Sequence, residues 1–419
     1  MSYKKLLVAC LLMFLATTTV AVAAEPIKIG LNYPQTGRYK NQGLQQRLGT
    51  FLAIEEINKA GGIMGRPVEL AIRDTGGDPK RGAANTAELI DKENVSMVFG
   101  GSSSAVAISS GKAAKARDTI YFGTLTYSNA TTGSAGQTHM FREPFNAWMS
   151  AKALSQYLNT KFSGKRYFYI TADYTWGWST EKSVRRFTNT EDEKVNPGVL
   201  TPFPKAYIRD FKAALEKARD SGADVLMMVL FGDDMVRALN LAYQMDLKDK
   251  MQIVVPNITL GMARQVGPTI MDGVIGTSPW VWQVPYQDNY PRGQQFVEAF
   301  SSHYNLMPST SAASAYSIVY QYKDAVERAG TTKTSAVIKA LEGHKYSFLK
   351  DQQQWRAFDH QNIQTTYVVK SKHRDAVKAG KLGDDYFEIV GRMSGQESAQ
   401  TLEQWQAERK QAGQPITLQ

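Results

Sequence analysis

The chain alternates short runs of β-branched residues with longer segments whose apolar positions recur at helical spacing. This alternation is typical of βαβ units around a parallel sheet. Asp78 before Pro79 and the Gly61-Gly62 pair supply start and stop signals for two of the helices. The pattern predicts strands at 27–31, 68–74, 95–100 and 120–124, and helices at 44–60, 79–93 and 105–117.

A second series of the same kind begins after Arg142. It predicts strands at 166–172, 199–203, 223–230 and 252–256, alternating with helices at 146–160, 179–190, 207–221 and 233–245. Beyond Gly273 the rhythm loosens, and we expect helices at 292–304, 312–329 and 335–341 and short strands at 366–370 and 387–391. Two similar halves predict an α/β protein with two doubly wound, Rossmann-like lobes.

The last third of the chain is expected to complete both lobes, so that the chain crosses between them three times and the three crossing strands form a hinge. We assign 25–144 and 279–347 to the first lobe, and 145–278 and 348–393 to the second. The tail, 394–419, is rich in Gln and Glu and predicts a surface helix at 399–411 with a loose end. The sequence assigns this tail no role.

The N-terminal segment has the composition of a secretory signal. A basic start, an apolar run and small residues up to Ala24 predict a signal peptide at 1–24 and a periplasmic mature protein. Cys10 is the single cysteine, so the mature chain would have neither a disulfide nor a nucleophilic thiol. Lipidation of Cys10 is the alternative, which the short apolar stretch before it disfavours. The remaining 395 residues exceed one ordinary core and favour two domains.

Charge and motifs exclude several classes of function. The net charge is +10, but basic and acidic residues are mixed and no basic run is interleaved with aromatic residues, so no nucleic-acid partner is expected. The sequence contains no G-x-S-x-G, no G-x-x-x-x-G-K-[ST] and no H-E-x-x-H motif. We therefore predict no catalytic residue, metal or cofactor. The histidines are scattered singly, at His139, His303, His344, His360 and His373.

Hydroxyl-bearing residues follow two strands of the first series, where ligands of open α/β sheets bind. Ser102, Ser103 and Ser104 come after glycines and directly before a helix. Their hydroxyls and the first free amides of the helix suit a carboxylate, although an N-cap serine with two bystanders is the alternative. The next strand ends in a second polar run, at 124–129.

Aromatic residues follow a strand of the second series. Trp176 and Trp178 come just after 166–172, and indoles at a strand end often line a pocket for an apolar or cationic ligand. Plain packing against the next helix is the alternative. Phe231 and Asn257 occupy equivalent strand ends, and Asp233 is either a helix N-cap or a charged group in the site.

Three stretches resemble the periplasmic binding proteins of branched-chain amino-acid ABC transporters, the leucine/isoleucine/valine-binding family. They are IKIGL at 27–31 with Thr36-Gly37 after it, AIEEINKAGGIMGRPV at 53–68, and the segment 73–79. The resemblance fades beyond about Lys372. It implies the type I periplasmic-binding fold and a monomer that delivers a small solute to an inner-membrane ABC permease by hinge closure, without catalysis. A sensory receptor is the alternative function, and a periplasmic hydrolase a third.

The resemblance also implies site residues. The family's serine pair for the ligand carboxylate falls on Ser103 and Ser104, its second binding loop on Thr126, Tyr127 and Ser128, its closing tyrosine on Trp176, a second aromatic position on Phe231 and its N-terminal loop contact near Gln42.

One departure concerns the ligand. Asn257 replaces the carboxylate that usually pairs with the ligand ammonium, and a neutral amide cannot form that charge-assisted bond. We expect a carboxylate or amide with an aromatic or aliphatic body, unless Asp233 supplies the charge. A branched-chain or other hydrophobic amino acid is the family's default ligand.

Overall fold

A computed structural model describes residues 25–419; the predicted signal peptide lies outside the described residues. The first sheet is parallel throughout, with strand order β2-β1-β3-β4-β5. Its strands are β1 (Ile27–Tyr33), β2 (Val68–Asp74), β3 (Met97–Gly100), β4 (Ile120–Gly123) and β5 (Met140–Arg142), and its helices are α1 (Lys40–Lys59), α2 (Pro79–Asp91) and α3 (Ser104–Lys115). We call this sheet and its helices the first lobe.

The middle of the chain forms most of the second lobe. Its elements are α4 (Ala147–Lys161), β6 (Tyr167–Ala172), α5 (Thr175–Thr188), β7 (Gly198–Thr201), α6 (Ile208–Asp220), β8 (Val225–Val229), α7 (Asp233–Gln244), β9 (Gln252–Val255), α8 (Leu260–Val266), α9 (Pro268–Met271) and β10 (Ile275–Ser278). Every residue of β8 is buried, as expected of a strand covered by helices on both faces of a parallel sheet.

The remaining elements complete both lobes. They are α10 (Val284–Gln287), α11 (Pro291–Tyr304), α12 (Thr310–Ala329), α13 (Thr334–Leu341), β11 (Lys345–Tyr346), β12 (Gln353–Trp355), β13 (Asn362–Ile363), β14 (Thr366–Ser371), α14 (Arg374–Ala379), β15 (Phe387–Met393), α15 (Gly395–Ser398) and α16 (Leu402–Gln411). The second sheet has the order β15-β14-β10-β9-β8-β6-β7, with β14 antiparallel to both of its neighbours. The predicted α/β class with two doubly wound lobes is confirmed.

Three chain crossings join the two sheets, after β5, after β10 and between β13 and β14. Buried side chains tie these crossings together. The Lys350 ammonium donates to the carbonyl oxygens of Pro279, at 2.6 Å, and Thr365, at 3.0 Å. The Gln361 amide donates to the carbonyl oxygen of Pro144 at 2.8 Å. The three crossings therefore share one hydrogen-bonded region.

The segment 348–363, expected in the second lobe, packs against the first lobe. The Trp355 ring lies 5.9 Å from that of Phe122 on β4 and 5.6 Å from that of Phe141 on β5. Its strands β12 and β13 form a separate antiparallel sheet with β11. Strands of two or three residues are too short to show a hydrophobic period, which explains the wrong assignment.

Several helix boundaries also differ from prediction. Helix α1 begins at Lys40 rather than at 44, α5 begins at Thr175 rather than at 179, and the tail helix expected at 399–411 begins at Leu402, after the separate short helix α15. Among residues 25–419, each helix is either too short or too polar to cross a bilayer.

Candidate ligand-binding cleft

The turn from β3 into α3 depends on two glycines. Gly100 and Gly101 have φ angles of +123° and +91°, and a Cβ on Gly100 would lie 2.4 Å from the carbonyl oxygen of Asn32. Only glycine fits such a turn without strain. The following Ser103 caps α3, accepting a hydrogen bond from the Val106 amide at 3.3 Å. The turn therefore brings the serines and the helix N-terminus to the carboxyl edge of the first sheet.

Ser104 connects this turn to the loop after β4. Its Oγ accepts hydrogen bonds from the Ser128 amide, at 3.1 Å, and from the Thr126 hydroxyl, at 3.3 Å. The two polar strand ends predicted from the sequence thus form one network. Ser104 is the acceptor in both bonds, so its own hydroxyl proton is free to donate to a carboxylate.

The second lobe contributes an aromatic wall at the end of β6. Tyr174 is extended, and α5 starts at the next residue. A Cβ on Gly177 would lie 1.9 Å from the carbonyl oxygen of Ala172, so glycine is what lets the helix begin directly on the strand end. This places Trp176, 3% exposed, in the first turn of α5.

Five aromatic side chains meet between the lobes, and we call them the aromatic cluster. Phe231 is at its centre, with ring centroids 5.7 Å from Tyr39, 5.7 Å from Tyr127 and 5.9 Å from Trp176. Tyr174 lies 6.0 Å from Trp176, and its hydroxyl is 3.4 Å from that of Tyr39. Tyr39 and Tyr127 come from the first lobe and the other three from the second, so the cluster spans the cleft.

A cavity of about 10 Å³ lies within this region. It is lined by Ser102, Ser103, Ser104, Leu125, Thr126, Tyr127, Tyr174, Trp176 and Phe231. Six of the nine predicted site residues are in this set, and none of the lining residues is charged. A space of this size accommodates about one water molecule. A larger solute therefore enters only when the walls separate.

The other three predicted residues do not line the cavity. Ser128 joins the lobes, since its hydroxyl donates to the carbonyl oxygen of Thr175 at 3.4 Å. Gln42 and Asn257 are each 1% exposed. Within the described part of the chain, neither of these amides has a hydrogen-bond partner for its nitrogen or its oxygen. Such groups are costly to bury, and a polar solute could satisfy them.

The environment keeps the tyrosines of the cleft neutral. Burial raises the pKa of Tyr127, and a smaller effect of the buried Glu143 acts in the same direction, while the nearby Asn257 side chain opposes them. Burial likewise raises the pKa values of Tyr39 and Tyr174. Their hydroxyls therefore keep their protons at neutral pH and can donate hydrogen bonds.

The acidic residues beside the cleft are engaged elsewhere. Asp233 begins α7 after Gly232, which occupies the N-cap position, and its carboxylate accepts a hydrogen bond from Gln265 at 3.3 Å. Asp234 pairs with Arg38. Neither aspartate lines the cavity, so the structure gives Asp233 no position facing a solute ammonium there.

Some residues of the cleft are not among the nine predicted site residues. Ser102, Leu125 and Tyr174 lie within the runs that follow these strand ends, and they line the cavity beside the predicted residues. Tyr39 and Arg38 belong to the loop after β1, whose contacts with the second lobe have no local signal in the sequence.

Comparisons with known proteins agree with this architecture. The profile of the family described as "Periplasmic binding protein" matches residues 26–380. The leucine-, isoleucine-, valine-, threonine- and alanine-binding protein of Pseudomonas aeruginosa is 25% identical over 332 residues, which cover 78% of this chain and 84% of that protein.

Two solved structures share the fold. A periplasmic binding protein from Burkholderia mallei has a TM-score of 0.81 at 22% identity, covering 91% of this chain and 98% of that one. A solute-binding protein of an ABC transporter from Rhodopseudomonas palustris, in complex with 3,4-dihydroxybenzoic acid, has a TM-score of 0.75 at 15% identity, covering 88% and 98%. This chain belongs to the periplasmic binding protein family, and it is a substrate-binding protein.

Proposed function

We propose that the solute of this protein binds in the cleft between the serine turn of the first lobe and the aromatic wall of the second. The observation that carries the proposal is the convergence of strand ends from both lobes on one cavity. The proposed contacts are Ser103, Ser104, Thr126, Tyr127, Ser128, Trp176, Phe231, Gln42 and Asn257.

The chemistry of the cleft favours a particular class of solute. The helix N-terminus and the Ser104 hydroxyl suit a carboxylate. The aromatic cluster suits a flat or apolar body. Gln42 and Asn257 suit a neutral polar group that both donates and accepts hydrogen bonds. We infer an organic carboxylate that carries a hydroxyl or amide group and has no free ammonium.

The similar proteins include examples of two kinds of solute. The P. aeruginosa relative is named for amino acids, and the R. palustris structure contains 3,4-dihydroxybenzoic acid. The uncharged lining of the cavity and the neutral Asn257 favour the second kind of solute. Dihydroxybenzoic acid has a carboxylate, an aromatic body and distal hydroxyls, which are the three features that the cleft suits.

We propose a transport cycle in which the lobes rotate about the three crossings and close on the solute. The moving bodies are 25–142 with 284–363, and 147–278 with 366–393. The closed monomer then presents the solute, chemically unaltered, to an ABC permease at the inner membrane. The tie of all three crossings through Lys350 and Gln361 supports a common hinge.

Native mass spectrometry of freshly purified protein will identify any retained solute. A thermal-shift panel of amino acids, hydroxylated aromatic acids and amides will then rank candidates, and mass analysis of the recovered solute will show whether it is unaltered. We expect hydroxylated aromatic acids to stabilise the protein more than leucine or valine. The reverse ranking would contradict the proposed solute class.

Variants test the site once a solute is identified. Ser104→Ala and Trp176→Ala should each weaken binding more than about tenfold, because both remove groups at the centre of a desolvated cleft. Trp178→Ala is the matched control, since Trp178 lies two residues further along α5 and is 53% exposed. Unchanged affinity in both cleft variants would show that the solute binds elsewhere.

A further inference from the structure

The C-terminal segment 394–419, which we call the strap, contacts both lobes. It leaves β15 of the second lobe, and α15 packs on that lobe, where the Lys152 ammonium of α4 donates to the Glu397 carbonyl oxygen at 2.5 Å. The Gln396 side chain of α15 also reaches Gln354 of the first lobe at 3.5 Å. Helix α16 then docks on the first lobe. Trp405 is 1% exposed, and its indole N–H donates to the Thr132 carbonyl oxygen at 2.9 Å. We propose that the strap is a fourth connection between the lobes, which limits their opening and positions the loop after β4.

The docking of α16 is extensive. Arg409 is 2% exposed and donates to the carbonyl oxygens of Gly133, at 2.5 Å, and Gly136, at 3.1 Å. The Trp405 ring packs 5.4 Å from Phe358. Near the end of the strap, the Gln419 carbonyl oxygen accepts a hydrogen bond from the Thr138 amide at 3.2 Å. The burial of this arginine and this tryptophan indicates that α16 is an integral part of the first lobe.

The strap reaches the cleft through Thr132. Trp405 holds the carbonyl of this residue, and the fully buried Arg142 holds its hydroxyl at 2.6 Å. The same guanidinium donates to the carbonyl oxygen of Ser128 and to the Gln361 side chain, at 2.6 Å. Trp405 therefore acts as a positioning residue for the loop that contains Ser128. Through Thr132 and Arg142 it is also connected to Gln361, which contacts the hinge.

The link between the two anchors is short. Residues 399–401 join the end of α15 to the start of α16, and three extended residues span at most about 10 Å. On its other side, α16 faces α5 across a groove of about 320 Å³ rather than packing on it, so α16 moves with the first lobe. A rotation that carries the anchors beyond the reach of the link must undock one of them.

The strap thus raises the population of the closed arrangement and, if the cleft binds as proposed, the apparent affinity for solute. It lies beyond residue 380, where the match to the family ends. The strap is therefore a feature of this chain that the family profile does not include.

The test measures the separation of the lobes and needs no solute. Spin labels are attached to Lys80→Cys on α2 and Arg209→Cys on α6, both exposed, in the mature full chain. Pulsed dipolar spectroscopy then compares this protein with two strap variants. Trp405→Ala removes the anchor, whereas six Gly-Ser residues inserted after Ala399 lengthen the link and leave in place both the Thr401 N-cap of α16 and the bond from Arg356 of the first lobe to the Gln400 carbonyl oxygen. Leu402→Ala, on the exposed side of α16, is the control.

We expect both strap variants to extend the distance distribution to longer values and the control to leave it unchanged. The insertion variant decides the outcome if Trp405→Ala fails to fold. A distribution that the insertion leaves unaltered would overturn the proposal. Failure to find a solute would count against the proposed function alone, because the lobe distance is measured without one.

Discussion

Arg38 of the first lobe donates a hydrogen bond to the carboxylate of Asp234 in the second lobe. This ion pair joins the loop after β1 to the first turn of α7 across the rim of the cleft. Beside it, the Asp233 amide donates to the Arg38 carbonyl oxygen at 3.3 Å. The Asp234 side chain is 4% exposed, so the pair is largely shielded from solvent.

The Asp234 carboxyl should make stability depend on pH. Burial raises its pKa from 3.8 to about 6, although Arg38 opposes the change. Between these values the folded protein binds more protons than the unfolded chain, so this group's contribution to the free energy of unfolding falls as pH rises from about 4 to about 6.

Asp234→Asn should flatten that part of the dependence of stability on pH, measured by thermal unfolding at pH 4, 5, 6 and 7. Asp220→Asn, at an exposed pair with Arg219, is the control. If the unfolding temperatures of the wild type and of Asp234→Asn change equally with pH, the Asp234 carboxyl is not the source of this pH dependence.

Asn257 should determine whether amino acids bind. In Asn257→Asp, a buried carboxylate beside the Tyr127 hydroxyl can form a charge-assisted bond with an ammonium group. We therefore expect calorimetry to detect leucine binding in the variant, together with weaker binding of hydroxylated aromatic acids. Asn159→Asp, at an exposed position of α4, should change neither. A variant that gains no leucine affinity and keeps its original solute would show that Asn257 does not face the solute.

Local chemistry explains what could be predicted from the sequence. Strand β2 was predicted to the residue, and α2 begins at Pro79 because the Asp78 carboxylate accepts the Arg81 amide at 2.8 Å. The strand-end rule then located six residues of the cavity, because parallel strands deliver their carboxyl ends to one edge. Each of these signals lies within a short stretch of the chain, so it can be recognised without knowledge of the fold.

Features that depend on distant contacts could not be predicted in this way. Strands β5 and β10 were not predicted: β5 has only three residues, and β10 lies beside the antiparallel β14, outside the regular βαβ series. The Arg38–Asp234 pair joins positions 196 residues apart. The docking of Trp405 on Thr132 likewise depends on a surface that exists only in the folded first lobe. The sequence therefore predicts only a surface helix with a loose end for the tail.

Gly177 should be essential for the aromatic wall. A Cβ at this position would lie 1.9 Å from the Ala172 carbonyl oxygen, so Gly177→Ala must push the start of α5 off β6. Overpacking of this kind typically costs about 1–3 kcal/mol. We expect a lower unfolding temperature and weaker solute binding, because Trp176 moves with the helix. Gly261→Ala is the control, since the nearest atom to its added Cβ is 3.9 Å away. Equal unfolding temperatures of the two variants would contradict the close approach.

Lys350 should link protonation to the hinge. Burial lowers the pKa of its ammonium from 10.5 to about 8. Between these values the folded protein binds fewer protons than the unfolded chain, so this group's contribution to the free energy of unfolding rises as pH increases from about 8 towards 10.5. Lys350→Met removes that rise, and it also leaves the carbonyl groups of Pro279 and Thr365 without their donor.

Two measurements separate these effects of Lys350→Met. Denaturant unfolding at pH 7.5, 8.5 and 9.5 should show a smaller increase in stability than in the wild type. Hydrogen exchange should show faster exchange at the crossings around Pro279 and Thr365 and little change in β8, which is fully buried in the second sheet. Lys333→Met, at an exposed position before α13, should reproduce neither effect. If the crossings retain wild-type protection in Lys350→Met, the ammonium does not hold the hinge together and the crossings are stabilised by their packing instead.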